Sequence, residues 1–318
     1  MTPEIDVVVV VYNRYDLTEA CLEHLDRQTV PHRLIICDNG STDGTSERLQ
    51  ADWPAARLLR LERNSPFAVA CNMGVKAGTG DVVVLLNNDV QCRPDFLEAA
   101  VAPLLADPTV GSVATLMLQP GEQLIDSFGM SCDPTLAGYP RLHGRPAAAA
   151  DTADSVLVGP PGTATAYRRT AWEQVGGLDE RLFAYGEDFD LALRLASAGW
   201  RTAAAAGAVG VHLGSATHRH RSRRQRYHGG FGRGYLLRRY GVLRGRHALR
   251  ALLTETLVAT GDLAISRDTA AFRGRLAGWH GAAGLPRLPR PPEETIDHSI
   301  DLARSFALRR GAYGLRSA

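Results

Sequence analysis

The sequence is short of lysine, of paired cysteines and of long apolar runs. Lys76 is the only lysine among 36 basic residues, so guanidinium groups carry nearly all of the positive charge. The five cysteines form no C-x-x-C pair, which argues against a zinc ribbon or a disulfide framework and favours a reducing compartment. The N-terminal run of five valines is too short to span a membrane and lacks the basic segment of a signal peptide. We therefore expect a cytoplasmic protein without a transmembrane helix.

Charge is distributed unevenly along the chain. No Asp or Glu occurs between Asp190 and Glu255, whereas 11 arginines fall in residues 219–250, here called the Arg-rich segment. The formal net charge of +2 therefore combines a mildly acidic body with a basic segment. With 318 residues, of which 45% are hydrophobic and 22% are charged, the chain has the composition of a globular protein with one large or two modest domains. This composition excludes a fibrous repeat and a mostly disordered chain.

The first hundred residues alternate between strand and helix patterns. Residues 5–11 are an apolar, β-branched run, which is typical of a strand buried on both faces. Leu17, Cys21 and Leu25 recur at helical spacing. The same reasoning predicts strands at 5–11, 33–37, 57–61 and 81–86 and helices at 15–28, 43–49, 67–77 and 94–105. This order of elements predicts a parallel sheet with right-handed crossovers.

The second half of the chain has less regular patterns. A Pro-, Gly- and Ala-rich excursion is expected over 119–154, and a Pro-rich linker over 285–292. The patterns predict strands at 110–118, 156–158, 163–168 and 201–211, a helix at 187–198, basic amphipathic helices at 219–239 and 246–265, and further helices at 268–280 and after the linker. The apolar stretch 248–265 is interrupted by Arg250, Glu255 and Asp262, so it is not expected to span a membrane.

Polar clusters follow three of the predicted strands. These clusters are Tyr12-Asn13-Arg14, Asp38-Asn39-Gly40-Ser41 and Asn87-Asn88-Asp89. Ligands of open α/β sheets bind beyond the carboxyl ends of the strands, so the clusters are expected to meet at one edge. Together they suit a nucleotide diphosphate, with Tyr12 stacked on a base, Asp38 accepting a hydrogen bond from a pyrimidine N3–H, and Asp89 holding a divalent cation. Neither G-x-G-x-x-G nor a P-loop motif is present, which argues against dinucleotide-dependent dehydrogenases and P-loop enzymes.

Six segments of the first 215 residues form one ordered set. They are VVVVYNR (8–14), ICDNGSTDGT (36–45), Asn64 with Asn72-Met73-Gly74, LLNNDV (85–90), GGLDERLFAYGEDFDLALRLASAGW (176–200) and VHLGS (211–215). In these segments the sequence resembles the family 2 glycosyltransferases, which are enzymes of the GT-A fold. The LLNNDV segment is similar to the rhamnosyltransferase-like branch of the family. The resemblance implies an inverting transferase that uses a nucleotide-diphosphate sugar.

The resemblance implies which residues bind the donor. Tyr12 and Asn13 correspond to the first nucleotide-contacting segment, and Asp38 corresponds to the residue that holds the pyrimidine base. Asn64 and Asn72 fall in the region that lines the donor pocket. Here the sequence departs from the family, because Asn64-Ser65-Pro66 replaces the usual Asn-x-Gly and Cys71 replaces a position that is commonly polar or Gly.

The resemblance also implies a divalent cation, Mn²⁺ or Mg²⁺. Asn87-Asn88-Asp89 takes the place of the family's D-x-D element, so Asp89 is the expected metal ligand, with Asn87 and Asn88 beside the nucleotide-sugar. His212 resembles the C-terminal histidine that completes the metal or diphosphate site. A single carboxylate holds a metal weakly, so the diphosphate is expected to supply further oxygen ligands.

Glu187-Asp188 matches the family's E-D motif at the start of a predicted helix. An inverting transfer needs a base opposite the leaving group, and Asp188 is predicted to be that base, with Glu187 as its neighbour at the catalytic centre. The helix dipole lowers the pKa of a carboxylate at this position, whereas the neighbouring acids raise it. Asp190 and Arg194 lie four residues apart, which predicts an ion pair on the helix surface.

The Arg-rich segment is open to several interpretations. It is either a solvated helix face or a contact for an anionic acceptor, for the donor diphosphate, for an acidic carrier protein or for an anionic membrane surface. Nucleic acid is disfavoured, because the segment contains few aromatic residues and matches no nucleic-acid-reading motif.

The sequence therefore predicts a GT-A type α/β fold, with a mostly parallel central sheet and a helical C-terminal extension. Residues 1–217 are expected to form the catalytic domain, with a nucleotide-sugar-binding half (1–118) and an acceptor half (119–217), and residues 218–318 an Arg-rich helical region. The predicted activity is metal-dependent, inverting transfer from a UDP- or dTDP-sugar to an OH or NH of a cell-wall or lipid-linked saccharide or a secondary-metabolite aglycone. A sugar nucleotidyltransferase and a non-catalytic nucleotide-sugar-binding protein are the alternatives. The expected location is the cytoplasm, with peripheral contact at the inner face of the membrane.

Overall fold

The structure, a computed structural model, describes residues 3–151, 156–214 and 222–312. Its strands are β1 (Ile5–Val11), β2 (Arg33–Asp38), β3 (Arg57–Arg60), β4 (Val82–Asn87), β5 (Val90–Cys92), β6 (Val110–Leu118), β7 (Ile125–Ser127), β8 (Met130–Cys132), β9 (Gly138–Pro140), β10 (Ala164–Arg168) and β11 (Arg201–His212). Its α-helices are α1 (Tyr15–Asp26), α2 (Thr45–Asp52), α3 (Phe67–Ala77), α4 (Phe96–Ala106), α5 (Arg169–Val175), α6 (Glu187–Ser197), α7 (Arg223–Arg239), α8 (Ala248–Ser266), α9 (Ala270–Gly281) and α10 (Leu302–Ala312).

Nine of these strands form one mixed sheet in the order β3-β2-β1-β4-β10-β6-β11-β5, with β7 paired to β6. The first strands are parallel, as the alternation of strands and helices predicts: β1 pairs in parallel with β2 and with β4, and β2 with β3. β1 is buried on both faces. Val7, Val9 and Val11 pack into one hydrophobic core, and Val8 and Val10 pack into the core on the opposite face. The carboxyl ends of β1, β2 and β4 consequently meet at one edge of the sheet.

The second half departs from the predicted elements at two places. Residues 156–158 do not form a strand, because only the neighbouring Gly159 makes a bridge, to Met130. The sequence patterns also missed α5, a helix of seven residues that follows β10 directly. In the described ranges, no helix is long and apolar enough to cross a membrane.

The C-terminal helices pack through glycines. A Cβ at Gly230 or Gly234 of α7 would overlap backbone atoms of α9, and a Cβ at Gly274 or Gly278 of α9 would overlap backbone atoms of α7. Each helix therefore carries two glycines four residues apart on the contacting face, which allows the two backbones to approach closely. This contact fixes the position of α7.

The C-terminal helices share a hydrophobic core with the half of the chain that contains the E-D motif. Phe189 and Leu193 of α6 pack in one cluster with Leu236 and Tyr240 of α7. Gly232 of α7 also lies against the loop before α6, since a Cβ at Gly232 would be 2.2 Å from the Tyr185 carbonyl oxygen. The predicted boundary at residues 217/218 lies in 215–221, outside the described residues, and the division into domains stays a prediction.

Candidate active site

The loops that follow β1 and β2 are joined by hydrogen bonds. The Asn13 N–H donates to Ser41 Oγ at 2.7 Å, and the Thr42 N–H donates to Asn13 Oδ1 at 2.9 Å. Asn13 has a φ of 57°, in the left-handed region that Asn tolerates better than most residues. Tyr12, immediately before it, is 45% exposed. The two loops thus form one hydrogen-bonded rim with an exposed aromatic ring.

Asp38 lies at the end of β2 and is fully buried. Its Oδ1 atom accepts a hydrogen bond from the Ser41 N–H at 2.8 Å, which closes the turn after the strand. Its Oδ2 atom lies 3.6 Å from Arg60 Nε and has no hydrogen-bond partner within the described ranges. The carboxylate therefore keeps one oxygen free to accept a hydrogen bond from a ligand.

His212 lies between two carboxylates. β11 pairs antiparallel with β5 and sets His212 opposite Val90, so that His212 Nε2 lies 3.4 Å from Asp89 Oδ2. On the other side of the ring, Nδ1 donates to Asp126 Oδ2 at 2.8 Å. Burial lowers the pKa of His212, but the hydrogen bonds to Asp126 and Asp89 outweigh it and raise the pKa to about 10.

This arrangement suits a divalent cation between Asp89 and His212. Asp89 Oδ1 is buried and has no hydrogen-bond partner in the described part of the chain. A histidine whose second ring nitrogen is held by a carboxylate is the usual form of a histidine metal ligand. No group of three or more potential ligands was found among the described residues, so further oxygen ligands would have to come from a bound molecule.

Asp188 is held by backbone N–H groups at the start of α6. Its Oδ2 atom accepts from the Gly162 N–H at 2.9 Å, and its Oδ1 atom accepts from the Phe189 N–H at 2.7 Å. Burial raises the pKa of Asp188, and these N–H donors lower it only in part. The sequence argument weighed the helix dipole against the neighbouring acids. In the structure the largest effect is burial.

Glu187 is buried beside Asp188. Its Oε2 atom has no hydrogen-bond partner within the described residues. Burial, and after it the charge of Asp188, raise the pKa of Glu187 to about 8. The two adjacent carboxyl groups therefore favour a state in which one proton stays on the pair at neutral pH.

The predicted surface ion pair between Asp190 and Arg194 is wrong in its location. Asp190 is fully buried, and its Oδ2 atom accepts from Arg194 Nε at 2.7 Å. Its Oδ1 atom accepts from the Tyr240 hydroxyl of α7 at 3.0 Å. The pair consequently holds α7 against α6, because C-terminal helices cover a face of α6 that the sequence alone leaves exposed.

Besides Asn13, four asparagines were predicted for the donor site, and they differ in their surroundings. Asn64 Oδ1 accepts a hydrogen bond from Asn39 beside the Asp38 turn. Asn72 instead exchanges hydrogen bonds with the backbone of Leu178, so its amide anchors the loop that precedes α6. Asn88 donates to the Thr18 hydroxyl of α1, and the Asn87 N–H donates to the Thr163 carbonyl oxygen. In the described contacts Asn64 and Asn72 support loops around the site, whereas Asn88 contacts α1 and Asn87 is held through its backbone.

Asp126, Glu187 and Asp188 border one cavity of about 500 Å³. Another wall of this cavity carries Arg233, Arg275 and Arg309. All three guanidinium groups pair with the buried Glu255, at 2.7, 2.9 and 3.1 Å respectively. Burial raises the pKa of Glu255, but the three arginines hold it well below its ordinary value. One carboxylate thus faces three guanidinium groups, which leaves this wall positively charged.

Sequence reasoning missed Asp126, Glu255, Arg275 and Arg309. Asp126 lies in the irregular excursion, where no periodic pattern marks its position. The only signal for Glu255 is that it is the first acidic residue after the acid-free stretch.

The Arg-rich segment is less solvated than a plain helix face. The side chains of Arg226, Arg233 and Arg250 are 15%, 11% and 22% exposed, and each one faces carboxylates. α7 is also not amphipathic in the predicted sense, because its buried face consists largely of glycines with Tyr235, Leu236 and Leu237. Residues 219–221 lie outside the described residues.

The chain has the fold of the GT-A glycosyltransferases. The chain belongs to glycosyl transferase family 2, whose model matches residues 6–176. It is 31% identical over 224 residues to an N-acetylglucosaminyl-diphospho-decaprenol L-rhamnosyltransferase of Mycobacterium tuberculosis, covering 63% of this chain and 73% of the relative. It is 30% identical over 231 residues to the O-antigen biosynthesis protein RfbC of Myxococcus xanthus, covering 69% of this chain and 18% of that longer protein. The predicted similarity to the rhamnosyltransferase-like branch is confirmed.

Solved structures share the fold at low sequence identity. The mannosyltransferase PcManGT from Pyrobaculum calidifontis, solved with GDP-Man and Mn²⁺, matches with a TM-score of 0.53 and 20% identity, over 98% of this chain and 80% of that chain. GalNAc-T7, solved with UDP, GalNAc and Mn²⁺, matches with a TM-score of 0.56 and 14% identity, over 80% of this chain and 54% of that chain. These matches support the predicted GT-A fold.

Proposed function

We propose that this glycosyltransferase is inverting and metal-dependent, and that it moves a sugar from a UDP- or dTDP-sugar to an OH or NH of its acceptor. The observation that carries the proposal is that Asp188 and Asp126 border the same cavity. Asp126 holds His212, and His212 faces Asp89. The proposed base and the carboxylate that holds His212 consequently border one space, which supports an in-line displacement between the acceptor and the diphosphate.

Asp188 acts as the general base in this proposal. As the acceptor oxygen or nitrogen forms its bond to the anomeric carbon, its proton passes to a carboxylate oxygen of Asp188, and the bond from the anomeric carbon to the diphosphate oxygen breaks. The N–H groups of Gly162 and Phe189 keep the carboxylate oriented. The raised pKa of Asp188 makes its carboxylate a stronger base than an exposed aspartate.

Asp89 and His212 would hold the divalent cation, Mn²⁺ or Mg²⁺. When bound, such a cation supplies stabilisation of the negative charge on the leaving diphosphate. The free Oδ1 atom of Asp89 supports this assignment, since a buried carboxylate oxygen without a partner is costly in the absence of a ligand.

Asp38 and Tyr12 are assigned to the base of the nucleotide. The free Oδ2 atom of Asp38 accepts a hydrogen bond from the pyrimidine N3–H. The exposed Tyr12 ring stacks on the base. Asn13, Asn64, Asn72, Asn87 and Asn88 complete the proposed donor pocket, with Asn72 acting through the Leu178 loop.

The acceptor is proposed to carry phosphate. The cavity wall formed by Arg233, Arg275 and Arg309 has more positive than negative charge, and Arg309 Nη2 is buried without a hydrogen-bond partner within the described ranges. Guanidinium groups pair well with phosphate oxygens. The name of the Mycobacterium tuberculosis relative describes a sugar diphosphate joined to decaprenol. By analogy, we assign this enzyme a carrier-linked acceptor at the cytoplasmic face of a membrane.

A thermal-shift screen over nucleotide-sugars, each with Mn²⁺, Mg²⁺ or chelator, tests the donor and metal assignments. A ligand at 100 times its Kd stabilises the folded state by about 2.7 kcal/mol. We expect stabilisation by UDP- or dTDP-sugars only when a divalent cation is present. Stabilisation by purine nucleotide-sugars alone, or equal shifts with chelator, would contradict the proposal. Release of pyrophosphate from a nucleoside triphosphate and a sugar phosphate would instead identify a nucleotidyltransferase.

A further inference from the structure

Exposed large apolar side chains are concentrated on two adjacent helices. Eight of the 11 such residues in the described part of the chain lie on α8 or α9. On α8 they are Leu249, Leu252, Leu253, Leu257, Leu263 and Ile265, and on α9 they are Phe272 and Leu276. We call these eight residues the α8–α9 apolar face. A soluble monomer rarely exposes so many large apolar side chains together without a binding partner.

The charged residues of α8 point the opposite way. Glu255 and Asp262 are 7% and 8% exposed, and Arg250 is partly buried against Asp133. Every exposed position of α8 is apolar or Thr. The helix therefore has its charges toward the protein and its leucines toward solvent, which is the reverse of a surface helix of a soluble domain.

The two exposed threonines of α8 donate their hydroxyl hydrogens to backbone carbonyl oxygens of the same helix. Thr256 Oγ1 donates to the Leu252 carbonyl oxygen at 2.8 Å, and Thr260 Oγ1 donates to the Thr256 carbonyl oxygen at 2.9 Å. Neither hydroxyl needs water as its acceptor. The face can thus enter an apolar medium without leaving these donors unsatisfied.

Arginines surround the apolar face. Arg244 precedes α8, Arg267 follows it, and Arg273 lies beside Phe272 on α9, and all three are exposed. Among the described contacts none of them forms an ion pair with an acidic side chain. In residues 240–290 the acidic side chains are Glu255, Asp262 and Asp268, which face arginines of the protein. The exposed Glu293 pairs with Arg246 just before α8 at 2.8 Å, which leaves Arg244, Arg267 and Arg273 as the basic groups of the rim.

We infer that the α8–α9 apolar face docks on an anionic lipid bilayer, with the leucines in the headgroup and acyl boundary and the arginines on lipid phosphates. An apolar helix face with a basic rim is the pattern of helices that lie in the membrane interface. A second copy of this chain would bring its own basic rim against the first, whereas anionic lipids neutralise it. The inference deepens the proposed function by naming the surface that meets the membrane, and it rests on that function only for the location of the acceptor. Docking itself needs neither the donor nor the proposed catalytic carboxylates.

One of these two helices, α9, lines the proposed acceptor cavity through Arg275. Glu255 of α8 and Arg275 of α9 form the ion pair behind the cavity wall. A bilayer against the outer face of α8 and α9 would consequently lie next to the cavity. A carrier-linked acceptor could then reach Asp188 while its lipid stays in the membrane.

Co-sedimentation of the purified full-length chain with vesicles tests this docking. One set of vesicles is rich in phosphatidylglycerol and the other contains only phosphatidylcholine. We expect binding to the anionic vesicles, weakened by salt. The double variant Leu253→Glu/Leu257→Glu should lower the partition coefficient on the order of 10–100-fold. Replacing Arg244, Arg267 and Arg273 by Ser should lower it about fivefold per residue at low salt.

Leu105→Glu is the matched control, because Leu105 is 60% exposed but lies on α4. This control should bind vesicles like the parent chain. All variants should keep the parent melting temperature and cation-dependent donor hydrolysis, which separates lost docking from a lost fold or activity. The inference is overturned if the parent chain ignores anionic vesicles or if the double variant binds as well as the parent. It is also overturned if the parent is a dimer that the double variant dissociates, since the face would then be covered by a second copy.

Discussion

Asp126 Oδ2 accepts a hydrogen bond from His212 Nδ1 at 2.8 Å, and this bond turns His212 Nε2 toward Asp89. β7 supplies Asp126 and β11 supplies His212, so the long excursion after β6 contributes directly to the candidate metal site. The hydrogen bond fixes the tautomer and the ring orientation of the histidine, as carboxylates behind metal-bound histidines do.

Asp126 is therefore predicted to be a positioning residue for the cation. Asp126→Ala should raise the Mn²⁺ concentration needed for half-maximal activity on the order of 10–100-fold. Asp126→Asn should have a smaller effect, because its amide oxygen can still accept from Nδ1. Metal titration of activity measures both variants. Glu122→Gln, an exposed change in the same excursion, is the control, and equal metal dependence of all variants would remove Asp126 from the site.

Asp38→Asn is expected to weaken UDP binding on the order of 10–100-fold, since a hydrogen bond to a charged group contributes about 1.5–3 kcal/mol. Calorimetric titration with UDP and with a purine diphosphate measures the loss and its base specificity. Glu47→Gln is the control, because Glu47 shares Arg60 with Asp38 but is exposed. A loss of equal size for both nucleotides would argue against recognition of the pyrimidine by Asp38.

Gly232→Ala should disturb the proposed catalytic carboxylates from the neighbouring helix. The added Cβ would lie 2.2 Å from the Tyr185 carbonyl oxygen, so the loop that leads to Glu187 and Asp188 must shift. We expect kcat to fall on the order of 10–100-fold and the free energy of unfolding to fall by about 1–3 kcal/mol. Gly229→Ala, on the same helix, meets no atom within 4 Å of its Cβ among the described residues and should keep parent activity. Parent kcat in Gly232→Ala would contradict the coupling.

Glu187 should make stability depend on pH. Its pKa is raised to about 8 in the fold and stands at its ordinary 4.5 in the unfolded chain. The bound proton stabilises the fold fully below the unfolded value, and this contribution is lost as the pH rises toward 8. Glu187→Gln should consequently gain stability relative to the parent by up to about 1.4 kcal/mol per pH unit over this interval. Denaturant unfolding of both proteins at several pH values measures the difference, and a constant difference would contradict the raised pKa.

Most elements of the first half were predictable because local patterns decide them. The valine run predicts β1. The helical spacing of apolar residues between Pro66 and Gly78 predicts α3, which the structure has at residues 67–77. The prediction of a strand at 156–158 was wrong, because a short apolar run does not show whether a partner strand is available. The helix α5 was missed because it is short and begins with Arg169 directly after a strand.

The candidate site was predictable where one motif supplies the residue and not where distant segments meet. Asp38, Asp89 and Asp188 were named from their motifs, and their roles stay predictions. Asp126 reaches His212 from 86 residues away, and Arg309 reaches Glu255 from 54 residues away. Such pairs depend on tertiary packing, which neither periodicity nor spacing in the sequence encodes.

The most direct test of the account is the turnover of Asp188→Asn measured together with its donor affinity. The account predicts that kcat falls about 10²–10⁴-fold, which is the contribution of a general base, while the Kd for the UDP- or dTDP-sugar with Mn²⁺ stays at the parent value. The amide keeps the size of the carboxylate and can still accept from the Gly162 N–H. A variant that retains more than about a tenth of the parent kcat would contradict the assignment of Asp188 as the base.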